Sequence, residues 1–454
     1  MIMKAAKFAL ISFLLITILS FAKAQITFVE SSQQFDDKRT YEISVGDVDN
    51  DGDIDILDEN NLWLNNGDAT FNKKVIDTLS VKRGKLADLD GDGDLDIFYL
   101  GSNYNTGSPN EIWYNDGKGN FANSGQELGN RTSYDAIFKD LDDDGDIDIF
   151  VCNHVNSSGV NGGHIVWINQ GDSVFIDSGQ NLGNGYTTGI DSGDIDNDGD
   201  IDILVSFNYG NQTNLFWINK GNAEFTQGQE NGSSNYWDLK LGDLDGINGL
   251  DIFVASSSSN KVWLNNGDGT FTDNGQKLGN TSTFTVALGD LDKDGDLDAF
   301  VGNATYFDNG INTVYINKGN GEFEESGLQL GNDATKDIEL ADFDGDGDLD
   351  AIVANSEQPN KLWLNTTDTT IASINDFEES FKVHPNPAQN TLQIEFPGIG
   401  QKEAFYQIID LSGKTLQQGR LTANTIDVSK VSKGTYILNI DFGKETINKK
   451  ITIN

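Results

Sequence analysis

The residues best suited to chemistry in this 454-residue chain are aspartates, set at alternate positions of a twelve-residue pattern that recurs seven times. The pattern reads GDVDNDGDIDIL from Gly46, ADLDGDGDLDIF from Ala87, KDLDDDGDIDIF from Lys139 and GDIDNDGDIDIL from Gly193. A degraded copy, GDLDGINGLDIF, starts at Gly242, and GDLDKDGDLDAF and ADFDGDGDLDAI follow from Gly289 and Ala341. Hard carboxylate oxygens alternating along a tight loop suit calcium, which takes roughly 6–8 oxygen ligands. The glycine at position six, counted from the first aspartate, lets the backbone fold back so that the early carboxylates converge. No His or Cys stands in the loops, which argues against zinc.

Six copies are intact. Their candidate metal residues are Asp47, Asp49, Asp51, Asp53 and Asp55; Asp88, Asp90, Asp92, Asp94 and Asp96; and Asp140, Asp142, Asp144, Asp146 and Asp148. The other three sets are Asp194, Asp196, Asp198, Asp200 and Asp202; Asp290, Asp292, Asp294, Asp296 and Asp298; and Asp342, Asp344, Asp346, Asp348 and Asp350. The remaining copy keeps Asp243, Asp245 and Asp251 but has Ile247 and Gly249 where the others have Asp, so a weak or empty site is expected there. About six calcium ions follow from that count. Asp and Gly favour turns without any metal. Yet six loops hold 30 of the 72 acidic residues, and such crowding is self-repelling unless cations intervene. An EF-hand is excluded: it needs Glu at position twelve and flanking helices, whereas that position holds Asp58, Tyr99, Val151, Val205, Val254, Val301 or Val353.

The loops must be carried by strands. Each runs into a short apolar stretch and then into LWLN at Leu62, IWYN at Ile112, VWIN at Val166, FWIN at Phe216, VWLN at Val262, VYIN at Val314 or LWLN at Leu362. Gly-rich turns and a Phe follow most of these, which is a hairpin signature, and no window of equal strength has helical spacing. About four strands per repeat is one propeller blade. The seventh repeat stops at Asn365 without its Gly-x-Phe strand, while ITFVESSQQF from Ile26 aligns with GEFEESGLQL from Gly321. The expected fold is therefore all-β, a seven-bladed β-propeller over residues 25–365 closed by the N-terminal strand. A linker (366–380) and a small C-terminal β-sandwich (381–454) complete it.

Composition narrows the function. The net charge of −42 argues against a nucleic-acid partner. One cysteine, Cys152, leaves no intrachain disulfide, so metal is the expected staple. Lys4 and Lys7, the apolar run Phe8 to Phe21 and Ala22-Lys23-Ala24 read as a signal peptide over 1–24. That run is too short to span ~30 Å of hydrocarbon, and no later segment is long and apolar enough, so no transmembrane segment is expected.

The repeats resemble the FG-GAP repeats of integrin α-chain propellers and the VCBS-type repeats of bacterial secreted proteins, over roughly residues 26 to 366. The resemblance implies calcium held by side chains at positions one, three, five and nine and by the carbonyl at seven. Asp53, Asp94, Asp146, Asp200, Asp296 and Asp348 would then bind through their backbone. The last eighty residues carry Pro385-Asn386-Pro387, Asp410-Leu411-Ser412-Gly413-Lys414, Gly434-Thr435-Tyr436 and a closing Lys449 to Ile453. They resemble the type A C-terminal sorting domain of type IX secretion cargo in Bacteroidetes-type bacteria. This implies the type IX machinery as partner and a product that is secreted, extracellular or attached to the outer cell surface.

Six residues before each first aspartate stand Tyr41, Lys82, Tyr134, Thr188, Trp237, Phe284 and Lys336. They form either an aromatic and cationic ligand face at a channel mouth, fit for a glycan or an acidic peptide, or wedges between blades. No Ser/His/Asp spacing, His-rich metal site or phosphate loop accompanies His154, His164 and His384. The expected function is calcium-dependent adhesion or binding of an unknown extracellular glycan or protein ligand, without catalysis. The alternative is a secreted polysaccharide lyase or hydrolase on the same scaffold.

Overall fold

The computed structural model describes residues 26–36, 40–76, 83–101, 107–154, 162–171, 173–183, 185–207, 214–231, 235–304, 310–356, 358–367, 382–395, 405–409, 414–421, 425–441 and 446–454. The signal peptide, Lys82, most of the linker and the Asp410–Gly413 motif lie outside them. Two compact units are present, residues 1–368 and 369–454. The described residues form strands and no helix, and no helix is long and apolar enough to cross a membrane.

In the first unit the strands fall into seven successive antiparallel sets of four. After β1 (Phe28–Glu30), set one is β2 (Ile43–Gly46), β3 (Asp55–Asp58), β4 (Asn61–Asn65) and β5 (Phe71–Val75). Set two is β6 (Arg83–Ala87), β7 (Asp96–Leu100), β8 (Ser108–Asn115) and the start of β9 (Phe121–Lys139). The end of β9 opens set three, with β10 (Asp148–His154), β11 (Ile165–Asn169) and β12 (Phe175–Asp177). Set four is β13 (Thr187–Gly193), β14 (Asp202–Phe207), β15 (Asn214–Asn219) and β16 (Phe225–Asn231). Set five is β17 (Tyr236–Gly242), β18 (Asp251–Ser256), β19 (Lys261–Asn265) and β20 (Phe271–Asp273). Set six is β21 (Thr283–Gly289), β22 (Asp298–Asn303), β23 (Gly310–Asn317) and β24 (Phe323–Glu325). Set seven is β25 (Leu330–Ala341), β26 (Asp350–Ser356), β27 (Lys361–Asn365) and, from the other end of the chain, β1, which pairs Phe28 with Asn365 and Glu30 with Trp363. β9 spans two sets, and β25 also pairs with β23, so neighbouring sets are joined by continuous backbone ladders there.

The second strand of each set explains the packing. Runs such as DILVSF, DIFVAS and DAFVGN are apolar at consecutive rather than alternate positions, and every residue of them is buried. A strand buried on both faces must lie between two sheets. The apolar clusters accordingly form between sets. Leu57 meets Ile97 and Tyr99 of set two, Phe150 meets Val205 and Trp217 of set four, and Ile43, Ile56 and Trp63 meet Phe343, Ile352 and Leu362 of set seven.

The second unit has two sheets, one of β28 (Lys382–His384), β29 (Thr391–Glu395) and β32 (Thr425–Asp427), the other of β31 (Thr415–Arg420), β30 (Phe405–Ile409), β33 (Gly434–Asp441) and β34 (Thr446–Ile453). Leu392, Ile394 and Ile426 of the first share one core with Ile408, Leu438, Ile440 and Ile451 of the second. Asn386 of the Pro-Asn-Pro turn exchanges hydrogen bonds with Lys450 O and Thr452 N, tying that turn to β34.

Candidate functional site

Each aspartate-rich segment joins the first and second strands of its set, and the loop builds itself from its own side chains. The position-one carboxylate accepts the N–H of the position-six glycine, as Asp47 does from Gly52 at 2.9 Å and Asp194 from Gly199 at 3.0 Å. The position-five carboxylate accepts the N–H of position seven, as Asp51 does from Asp53 at 3.0 Å and Asp346 from Asp348 at 2.8 Å. The position-six glycines sit at φ near +95° in several loops, Gly52 and Gly93 among them, where any side chain would be strained.

What converges is the trio at positions one, three and nine. One oxygen from each lies within 4.8 Å of the others in Asp47/Asp49/Asp55, Asp88/Asp90/Asp96, Asp140/Asp142/Asp148 and Asp194/Asp196/Asp202. Asp243/Asp245/Asp251 of the degraded loop meet in the same way, so that loop lacks the fifth-position carboxylate but retains a trio. Position-seven side chains turn elsewhere: Asp94 accepts from Asn50 Nδ2 at 2.7 Å, and Asp348 pairs with Lys293.

Position nine has a second task. In every set its two oxygens accept backbone N–H groups, one from position two and one from the Asn that ends the third strand. Asp202 takes Ile195 N at 3.0 Å and Asn219 N at 2.8 Å, and Asp350 takes Phe343 N at 3.0 Å and Asn365 N at 2.7 Å. Burial pushes Asp55, Asp96, Asp202, Asp298 and Asp350 up to about 7, and Asp148 and Asp251 to about 6; loop neighbours add to this and the two N–H donors offset part of it. Asp49, Asp90, Asp142 and Asp344 are also raised by burial and by adjacent aspartates. Asp49 Oδ1, Asp142 Oδ1 and Asp196 Oδ1 are buried without a hydrogen-bond partner. Orphaned carboxylate oxygens facing like charges are what a hard divalent cation satisfies, so the donor set fits calcium.

The terminal Asn of the third strands was not singled out by sequence reasoning, although its presence in all seven W/Y-x-N segments was the available signal. Its side chain staples neighbouring sets. Asn65, Asn115, Asn219, Asn265, Asn317 and Asn365 donate through Nδ2 to the carbonyls of Phe343, Val48, Leu141, Ile195, Leu244 and Leu291, all at 2.8–2.9 Å. Glutamines past the fourth strands do likewise: Gln276 accepts Phe323 N at 2.8 Å, and Gln33, beyond β1, accepts Phe71 N at 3.0 Å.

At the opposite end of the first strands lies a cavity of about 430 Å³ lined from all seven sets. Tyr41, Tyr134, Thr188, Trp237, Phe284 and Lys336 all line it, whereas Lys82 is outside the described residues and Arg83 lines the cavity beside it. Strand pairing explains how they are aimed. In sets three to seven the first strand carries a bulge, and Tyr134, Thr188, Trp237, Phe284 and Lys336 are the residues it skips. A bulge leaves its extra residue unpaired and re-aims the side chain. The sequence alternatives of ligand face and wedge are thus not exclusive, because these side chains also stack on one another. Trp237 and Phe284 are 4.1 Å apart at 19°, and Lys336 Nζ lies 3.9 Å from the Phe284 ring. Arg83 sits 5.2 Å from Tyr41 and 5.1 Å from Tyr134, whose ring also stacks on His154 at 4.5 Å. Burial lowers His154 to about 4, so it is neutral near pH 7; its Nε2 donates to Thr187 O at 2.5 Å.

Beneath this mouth the lining is ionic. Lys85 Nζ is 3.0 Å from Glu42 Oε1 and 2.5 Å from Asp135 Oδ1. Burial opposes its charge, but Asp135 and Glu42 hold its pKa well above the usual range, and Asp238, Asp191 and Glu339 do the same for Lys240. Burial raises Glu42 and Asp337 to about 7 and also raises Asp238 and Glu339. Asp337 and Asp238 accept Ile43 N (2.9 Å) and Val286 N (3.1 Å) from the next set's first strand, satisfying edge groups that no ladder reaches.

Residues 88–151, 140–205, 243–301 and 303–353 match the FG-GAP-like repeat family, and residues 382–454 match the family described as secretion system C-terminal sorting domain. A curated relative, cartilage acidic protein 1 of Mus musculus, is 26% identical over 106 residues, 22% of this chain and 16% of that protein. The chain thus matches only a small part of that relative's length. Similar solved structures include an Agrocybe aegerita lectin reported to recognise non-reducing terminal N-acetylglucosamine (20% identity, 63% of this chain, 80% of that chain, TM-score 0.43). PorZ, a surface component of the type-IX secretion system of Porphyromonas gingivalis, is another (13% identity, 92% of this chain, 59% of that chain, TM-score 0.46).

Proposed function

Since the chain belongs to the FG-GAP-like repeat family and carries a type IX sorting domain that sends it to the cell exterior or surface, we propose that it is a calcium-stabilised, seven-bladed propeller that binds an extracellular ligand at its channel mouth. Support for a ring closed by the N-terminal strand comes from three contacts across the ends: the β1–β27 ladder, the Asn65–Phe343 staple and the Gln33–Phe71 bond. The second unit, two sheets on one core, is read as a β-sandwich.

Calcium would be held by the trios at positions one, three and nine, joined by position five and the position-seven carbonyl in the six intact loops. Bound there, the ion supplies charge neutralisation to a loop that ties two strands together. The role is structural, and the loops lie at the far end of the first strands from the mouth.

The observation that carries the binding reading is the bulge-aimed aromatic group at the mouth, above partly buried polar groups, in one cavity. Aromatic platforms with a few convergent polar groups are how ligand sites are built. The test is a glycan and protein-fragment array probed with calcium-loaded protein and with Trp237→Ala. Hits that vanish in the variant while its melting temperature holds support the mouth as the seat; hits indifferent to it overturn that assignment. Turnover of any arrayed polysaccharide would favour a lyase or hydrolase in place of a binder.

A further inference from the structure

We infer that the central cavity receives an organic cation, a ligand bearing a guanidinium or ammonium group. This rests on the mouth being the ligand seat and adds the chemistry of the ligand. Five carboxylates line the cavity, those of Glu42, Asp135, Asp238, Asp337 and Glu339, against four cations, Arg83, Lys85, Lys240 and Lys336. Lys85 is already held by Glu42 and Asp135, and Lys240 lies in the field of Asp238, Asp191 and Glu339. Removing carboxylates from water without matching cations is unfavourable. Burial accordingly raises all of Glu42, Asp238, Asp337 and Glu339 toward the neutral form. An entering cation supplies the missing charge, whereas an acidic peptide adds to the excess and a neutral sugar leaves it standing.

The aromatic rings of the mouth already carry cations of this chain, Arg83 against two tyrosines and Lys336 over Phe284. The rings are therefore disposed for cation–π contact. A chain of net charge −42 also draws cations toward it before contact. The acidic-peptide ligand that the rim lysines alone pointed to is disfavoured once the floor is seen.

The test uses the calcium-loaded full chain and titration calorimetry with acetyl-Gly-Arg-Gly-amide, with the citrulline peptide as its neutral isostere. The arginine peptide should bind at least about tenfold more tightly than the citrulline one, because a charged hydrogen bond is at stake. Glu339→Gln, which removes one floor charge at constant shape, should weaken the arginine peptide about tenfold. Lys336→Gln, which removes a rim cation, should tighten it several-fold, an opposite sign that mere loss of structure would not produce. No binding of the arginine peptide, or equal binding of the two peptides, overturns the inference. So does a neutral oligosaccharide that needs Trp237 but ignores Glu339→Gln, although the mouth then remains the ligand seat. Ligands that bind regardless of Trp237→Ala overturn the seat itself.

Discussion

At one end of their first strands the seven four-strand sets are nearly copies of one another; at the other end, six residues earlier, no two neighbours agree. The loop end repeats Asp at positions one, three and nine, an Asn staple and a position-nine clamp from set to set. The mouth end presents Tyr41, Tyr134, Thr188, Trp237, Phe284 and Lys336, over a floor that mixes acids with lysines. Repetition marks a task that every sheet performs for itself, holding its own hairpin and gripping its neighbour. Variation marks a task that the set performs once, since a single cavity is assembled from seven unlike contributions.

The largest effect that could break this comparison is metal removal. A chelator should lower the melting temperature in calorimetry by more than about 10 °C, since several sites each lose a ligand-linked contribution of a few kcal/mol. An unchanged melt would mean the loops stand without cations. Next comes the position-nine clamp. Asp202→Ala orphans the N–H groups of Ile195 and Asn219 and should cost on the order of 2–6 kcal/mol in denaturant melts, with or without chelator. Asp196→Asn, which removes only a charge from the trio, should cost stability in calcium alone. If both variants behave alike, clamp and metal site are one function rather than two.

A smaller effect is the pH response. In the calcium-free fold the position-nine carboxylates sit at about 6 to 7, above their ordinary value, so the unfolded chain binds fewer protons across that interval. Stability in chelator should therefore fall as pH rises from about 4 to 7. Calcium needs the ionised carboxylates, so the stabilisation it adds grows over the same range. Paired melts at pH 5 and 7.5 should show the larger chelator-induced drop at 7.5; an equal drop at both would remove these groups from the site. The smallest contrast lies within the loop end. Asp243→Asn in the degraded loop should shift the calcium-loaded melt by less than about 1 kcal/mol, and Asp88→Asn by about 2–3 kcal/mol. Equal shifts would show that the trio, not the fifth-position carboxylate, sets affinity.

Much of this was legible in the chain because it is local. Alternating aspartates with a glycine specify a loop from within twelve residues, and consecutive apolar residues after it announce a strand buried on both faces. The pairing of β1 with β27 was legible too, since ITFVESSQQF supplies the Phe strand that the last repeat lacks. The Asn was written in all seven repeats, but its staples join residues 67 or more apart, and the Gln33–Phe71 bond spans 38, so the partners are not visible in any local window. Arg83 and His154 joined the mouth without signal: Arg83 directly follows the rim position, and His154 reached Tyr134 from the neighbouring strand.

The amino-acid sequence alone determined the repeat, its strands, its acidic hairpins and the address at its C-terminus, because each depends on spacing within a few residues. Tertiary structure alone decided which carboxylates meet, which residues the bulges turn into the cavity, and that acids outnumber lysines on its floor. Those are properties of distances between segments remote in the chain, and only packing the sheets against one another sets them.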